Sequence, residues 1–307
     1  MRLVCLAVLG VTLPVSAEEV VFRSEVSLVR VDAQVTHGDR VVTDLRKEDF
    51  LILDNGKPQP ILYFSNEADP LDLVLVLDTS GSMRSSIQQV SRSATEALKH
   101  LRPGDRVAVT KFTLRTGEVL SFTEDVSKVS EAIEEICGRP FRGGTNIHGA
   151  LKHAGKLLMG QPRGPRRRAV LLISDGMSQK FTSQQAVLES LWEADAVLHA
   201  LIVNGPGDRT RMLMRFLSPT SNLSKVDVPK LADATGGDTL RAEHAGDGFR
   251  DMMERIRRRY SLHYALPAGI AGEEHTVKVE LAGQAKEQYK GARVKARKGY
   301  LHRAPQP

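Results

Sequence analysis

Between Leu71 and Leu77 the chain runs L-D-L-V-L-V-L, with a single polar residue interrupting it. A run this short and this apolar fits a parallel strand covered on both faces. Two more such runs follow, at Ala169–Ile173 and Ala196–Val203, with a half-apolar one at Arg106–Phe112. The segments between them change period. Val129, Ile133 and Ile136 form one stripe of a helix over Val126–Cys137, and further helices are predicted from the turn after Asp78 to Leu101 and over Ile147–Met159 and Ser183–Ala194. Val228–Ala234 and Gly248–Ile256 read as closing helices around a short strand at Thr239–Arg241, and Gly117–Phe122 as an edge strand. Strands alternating with helices imply an α/β domain at 70–259, doubly wound, with a mostly parallel central sheet and helices on both faces.

The flanks have a different rhythm. V-S-L-V-R-V-D-A-Q-V alternates in part, and D-F-L-I-L-D-N-G-K-P-Q-P-I-L-Y-F gives two apolar runs joined by Asn55-Gly56, a hairpin signal. Pro58 and Pro60 push the second run to an edge. After residue 259 strands return as Y-S-L-H-Y-A-L, H-T-V-K-V-E-L and A-R-V-K-A-R-K-G-Y. Neither flank, 18–69 or 260–307, is long enough for a good core alone. The pattern predicts one small β module made from both, with the α/β domain inserted into it.

Residues 1–17 read as a secretory signal: Arg2, an apolar stretch Leu3–Val15, then the small-residue site Val15-Ser16-Ala17 before Glu18-Glu19. The stretch is too short for a permanent membrane anchor. A secreted or periplasmic product is expected, with Cys137 its one thiol and hence no internal disulfide. Composition is that of an ordinary globular protein, 41% hydrophobic and 26% charged. The 5% aromatic content argues against a base-stacking nucleic-acid surface. The excess of six positive charges gathers in Arg163–Arg168 and Arg255–Arg259, read as a solvated loop and a helix end. Residues 205–226 show no period, and loops of that length are usually functional or mobile.

The chemistry sits at strand ends. Asp78 closes the first apolar run, with Ser80 and Ser82 in the turn that follows, and Asp175 comes just after Ala169–Ile173. In a parallel sheet both acids emerge at one edge, where ligands bind in open α/β folds. Thr145 belongs to a third loop, G-G-T-N. Five hard oxygen donors without histidine or cysteine disfavour zinc and copper and suit Mg²⁺ or Mn²⁺, with Ca²⁺ third. So little ligand charge leaves a cation seeking an outside anion, most simply a partner's Asp or Glu. A bare helix N-cap would also explain D-T-S-G-S, but not the other two loops. No phosphate loop is present, Ser80 stands where a haloacid-dehalogenase-type phosphotransferase wants a second Asp, and no nucleophile–base order can be assigned, so catalysis is not expected.

D-T-S-G-S at 78–82, G-G-T-N at 143–146 and I-S-D-G at 173–176 resemble the metal-ion-dependent adhesion site of a von Willebrand factor type A domain, a resemblance spanning about 70–259. It implies direct metal contact by Ser80, Ser82 and Thr145, with Asp78 and Asp175 acting partly through water. The flanks also resemble a secreted bacterial family of related proteins described from acidobacteria. The resemblance implies protein recognition or adhesion. Alternatives are a subunit assisting an ATPase or chelatase complex, and a Mg²⁺-dependent hydrolase.

Overall fold

A computed structural model describes residues 27–38, 40–66, 69–162, 164–179, 183–203 and 223–302. The expected signal at 1–17, Arg163 and most of the 205–226 stretch lie outside the described residues.

The first zone holds β1 (Leu28–His37), β2 (Arg40–Val42), β3 (Phe50–Asp54), β4 (Lys57–Gln59) and β5 (Tyr63–Asn66). The middle zone begins with β6 (Leu71–Asp78), α1 (Arg84–Leu98), β7 (Arg106–Phe112), β8 (Thr116–Thr123), α2 (Val126–Cys137) and α3 (Ile147–Met159). It continues with β9 (Arg167–Ser174), β10 (Met177–Gln179), α4 (Gln184–Glu193), β11 (Ala196–Val203) and β12 (Leu223–Lys225). It closes with α5 (Val228–Thr235), β13 (Thr239–Ala242) and α6 (Ala245–Arg257). Last come β14 (Tyr260–Ala265), β15 (Glu274–Leu281), α7 (Gly283–Gln288), β16 (Arg293–Lys295) and β17 (Gly299–Leu301).

The central sheet is mixed. Its order is β13-β11-β9-β6-β7-β8, parallel throughout except for the antiparallel edge β8. Alternation along β6 assigns its two faces: Leu71, Leu73, Leu75 and Leu77 pack with α1, α2 and α6, while Val74 and Val76 pack with α3, α4 and α5. Every residue of β6, β9 and β11 is buried, which is why their sequences show almost no polar break. Each buried Val, Leu or Ile among them contributes about 1.5–3 kcal/mol by leaving water. The closing helix begins three residues before the expected Gly248, and α1 ends before Leu101.

Two further sheets draw strands from both ends of the chain. One runs β16-β1-β14-β5 with β2 beside β1, the other β17-β15-β3-β4. Their facing residues, among them Val31, Val35, Ile52, Tyr260, Leu262 and Val279, form one shared core. The β3–β4 turn places Asn55 at φ 47° and Gly56 at φ 77°, the doubly left-handed turn that Asn-Gly favours, and β4 with its proline lies at a sheet edge. The last expected strand divides: β16 pairs with β1 and β17 with β15, in different sheets. At the break Arg297 reaches across to Asp195 at 3.0 Å, and its backbone crosses Gly236 so closely that a Cβ there would lie 2.4 Å from the Arg297 nitrogen. Gly236 has φ +86°, so nothing but glycine fits without strain.

Four arginines of the two runs are buried rather than solvated, while Arg258 is exposed. Arg167, Arg168, Arg257 and Arg259 are all at most 7% exposed. They lie at the starting ends of the central strands, where the domain meets the terminal sheets. Arg259 bonds the carbonyls of Gly236, Lys295 and Asp32 and pairs with Asp238 at 3.5 Å. Arg166 and Arg106 both grip the buried Asp72, each at 2.7 Å. A buried cation needs such partners, and these come from distant parts of the chain. His199 is buried in β11, its Nδ1 accepting the Asp238 N–H at 3.3 Å while its Nε2 has no bond. Among the described residues it is therefore only half satisfied. Cys137 is half-buried, its thiol 3.6 Å from the Ile87 carbonyl.

Candidate metal centre

Asp78 is the last residue of β6 and completely buried. Its Oδ1 accepts the Ser80 N–H at 2.9 Å, which turns the chain back over the strand end, and its Oδ2 accepts the Ser174 hydroxyl at 2.7 Å. The turn continues as a single 3-10 turn, Gly81–Met83, before α1 begins. Neither Ser80 nor Met83, the residues at the two helix starts, makes a side-chain capping bond. The Ser80 and Ser82 hydroxyls instead lie 3.2 Å from each other, and Ser82 Oγ donates to Asp175 Oδ2 at 2.7 Å. A helix N-cap therefore does not account for D-T-S-G-S.

Asp175 follows β9, and its Oδ1 accepts the Met177 N–H at 3.0 Å. Because β6 and β9 are parallel neighbours, with Leu77 opposite Ile173, their carboxyl ends bring the two acids to one edge. The third loop is tied to both sides. Asn146 caps α3 by accepting the Gly149 N–H at 2.9 Å, and its own N–H bonds Thr113 beyond β7. The Thr145 carbonyl accepts from Gln179 N–H at 2.8 Å and from Ser178 Oγ at 3.2 Å. Ser178 also accepts the Ile147 N–H, so one serine locks β10 to the start of α3. At Gly144 a Cβ would come within 3.0 Å of Leu114 and 3.1 Å of Gln179, so a side chain there requires the ends of those two side chains to give by a few tenths of an ångström. Thr145 itself is 5% exposed.

The side chains of Asp78, Ser80, Ser82 and Asp175 thus lie in one edge cluster, with Thr145 fixed by its backbone beside it. Burial pushes the Asp78 carboxyl up to about 6; bonds from Ser174 and Ser80 pull it down in part, and the charge of Asp175 adds to the rise. A buried carboxyl raised in part by a neighbouring acid, set among hydroxyls and with no cation bonded to it among the described residues, fits a divalent ion by its chemistry. Among the described residues no three His, Cys, Asp or Glu side chains gather in one place. Sequence reasoning missed Ser174 and Ser178. A serine ending an apolar strand, and another in a three-residue strand, carry no local signal of these bonds.

No curated protein sequence is significantly similar to the chain. Among solved structures, a von Willebrand factor type A protein from Catenulispora acidiphila aligns at 15% identity over 91% of this chain and 75% of its own, with a TM-score of 0.48. An aerotolerance-related membrane protein from Bacteroides fragilis aligns at 16% identity over 61% and 98%, TM-score 0.46. The vWF domain of the type V pili tip protein Mfa5 from Porphyromonas gingivalis aligns at 21% identity over 38% and 43%, TM-score 0.31. These likenesses are remote and carry no information on ligand or partner. The sequence profile of the von Willebrand factor type A domain matches residues 73–178, which contain β6, the D-T-S-G-S turn, the G-G-T-N loop and β9 with Asp175. Over residues 73–178 the chain is thus similar to the von Willebrand factor type A domain.

Proposed function

We propose that the chain is an exported, non-catalytic recognition protein in which Asp78, Ser80, Ser82, Thr145 and Asp175 hold a Mg²⁺ or Mn²⁺ ion that engages an Asp or Glu of a partner protein. Type A domains commonly mediate protein–protein interaction or adhesion, and that is the part of the reading carried by the family match. The observation that carries the rest is the bonded chain Ser80–Ser82–Asp175, next to a buried Asp78 with no cationic partner.

In this reading the three hydroxyls are the direct ligands. Asp78 holds the turn through the Ser80 N–H, and Asp175 orients Ser82 through the 2.7 Å bond. A bound divalent ion supplies one strong, directional contact for a carboxylate oxygen. With two acids as the only charged protein ligands, the ion retains affinity for an outside anion. Export rests on the sequence of residues 1–17. Among the described residues no helix is long and apolar enough to cross a membrane.

Thermal unfolding with and without MgCl₂ tests the metal part. A ligand at 100 times its Kd stabilises by about 2.7 kcal/mol, so magnesium raises the wild-type Tm by several degrees. Asp78→Ala loses the rise while keeping a cooperative transition. An equal rise in both proteins contradicts the proposal. Cell fractionation tests export: a shortened product outside the cytosol is expected, and an uncleaved cytosolic one favours the ATPase-subunit alternative.

A further inference from the structure

Beside the cation cluster a groove of about 380 Å³ opens between the end of β7, the start of β8 and the end of α2. It begins at Thr79, inside the D-T-S-G-S turn, where Thr79 N–H and Oγ1 both bond the Phe112 carbonyl. Its floor is apolar, Phe112 and Ile136 each being 1% exposed. Its walls carry Lys111, Arg115, Arg139 and Arg142. Arg139 pairs with Glu135 one helical turn away. Lys111, Arg115 and Arg142 make no ion pair among the described residues, whereas the buried Arg167 and Arg259 are each matched by an acid.

Three unmatched cations in one groove repel one another, and the arrangement gains only when anions enter. A cation held by Asp78, Ser80 and Ser82 would add to that field. Arg142 directly precedes the G-G-T-N loop, so this wall and the Thr145 loop are continuous in the chain. We infer that the groove receives an acidic peptide segment, in which one carboxylate reaches the metal centre and neighbouring Asp or Glu side chains pair with Lys111, Arg115 and Arg142. This rests on the metal-dependent reading above and names the partner's chemistry. The apolar floor accepts methylene stems, and no exposed aromatic ring in the groove offers a base a stacking platform, so a peptide suits it better than a nucleic acid.

Fluorescence anisotropy on the full chain tests this with three labelled probes: hexaglutamate, a Gly-Ser hexapeptide carrying one central Glu, and an oligothymidine. In MgCl₂, hexaglutamate is expected to bind at least tenfold more tightly than the single-Glu peptide. Arg115→Glu with Arg142→Glu removes that advantage and leaves single-Glu binding intact; both positions are exposed, and an unchanged Tm checks the fold. Equal binding of both peptides, lost in chelator, overturns the groove and leaves the metal reading standing. Hexaglutamate binding that survives chelator and Asp78→Ala but not the charge reversal keeps the groove as an acidic-peptide site and overturns the metal reading. Oligothymidine binding as tightly as hexaglutamate, or no peptide binding at all, overturns the inference.

Discussion

Arg167 Nε and Asp32 Oδ2 lie 3.1 Å apart in the interior, one on the central sheet and the other on β1, 135 residues away. The remaining guanidinium nitrogens bond the carbonyls of Ile256 at 2.7 Å and Arg257 at 3.2 Å, at the end of α6. One side chain thus ties the central sheet, its closing helix and the terminal sheets together. Burial alone would raise the Asp32 carboxyl, yet Arg167, Arg30 and Arg259 around it hold it below the usual carboxylate range. This junction is at the opposite end of β6 and β9 from Asp78 and Asp175, so it braces the fold without touching their edge.

Removing one member of a buried pair strands the other charge, at a cost of about 3–5 kcal/mol. Arg167→Ala is therefore expected to lower stability by that order in urea unfolding. Asp32→Leu combined with Arg167→Met is expected to recover much of the loss, since no lone charge is left inside. Costs of the two single changes that simply add would show that the pair is not coupled.

The same junction bears on domain independence. β1 pairs with β14 from Leu28–Ala265 to Ala33–Tyr260, and β3 pairs with β15 from Asp54–Val277 to Phe50–Leu281. A fragment of residues 18–69 lacks both partners and is expected to show no cooperative unfolding by circular dichroism. Residues 70–259 alone lose Asp32 and Lys295 from around Arg167 and Arg259, and are expected to fold with reduced stability. A cooperative melt from 18–69 would contradict a sandwich shared between the two ends.

Burial, reinforced by the charge of Arg259, pushes His199 down to about 3. An unfolded histidine titrates near 6.5, so between about 3 and 6.5 the unfolded chain binds the extra proton. Stability from this group is complete above about 6.5 and is lost as pH falls, by up to about 1.4 kcal/mol per pH unit. Asp78, raised to about 6, acts in the opposite sense between 3.8 and 6 in metal-free protein, so the comparison must be between variants. His199→Asn keeps an acceptor for the Asp238 N–H and removes the titration. Urea unfolding at pH 7, 6 and 5 is expected to show the wild type losing about 1 kcal/mol more per unit than the variant. Parallel curves would contradict it.

The meeting of Asp78 and Asp175 at one sheet edge was legible because its information is local. Continuous apolar runs mark parallel strands, parallel strands align their carboxyl ends, and Asp78 and Asp175 each sit at such an end. Asn146 was legible as part of a motif, but its capping of α3 explains why the motif needs it. The arginines were misread for the opposite reason. A buried Arg167 and a solvated arginine look alike in sequence, and the acids that decide between them lie 135 residues before it and, for Arg259, at Asp238. The division of β16 from β17 was hidden likewise, since it depends on Gly236 and Asp195 packing against a segment with unbroken strand character.

Crystals of the full chain soaked in MnCl₂ and measured at the manganese absorption edge examine the central proposition most directly. The account predicts a single strong anomalous peak among Ser80, Ser82 and Thr145, and none in crystals of Asp78→Ala grown and soaked in the same way. An edge without signal at that cluster in the wild type, or an equal peak in the variant, would contradict it.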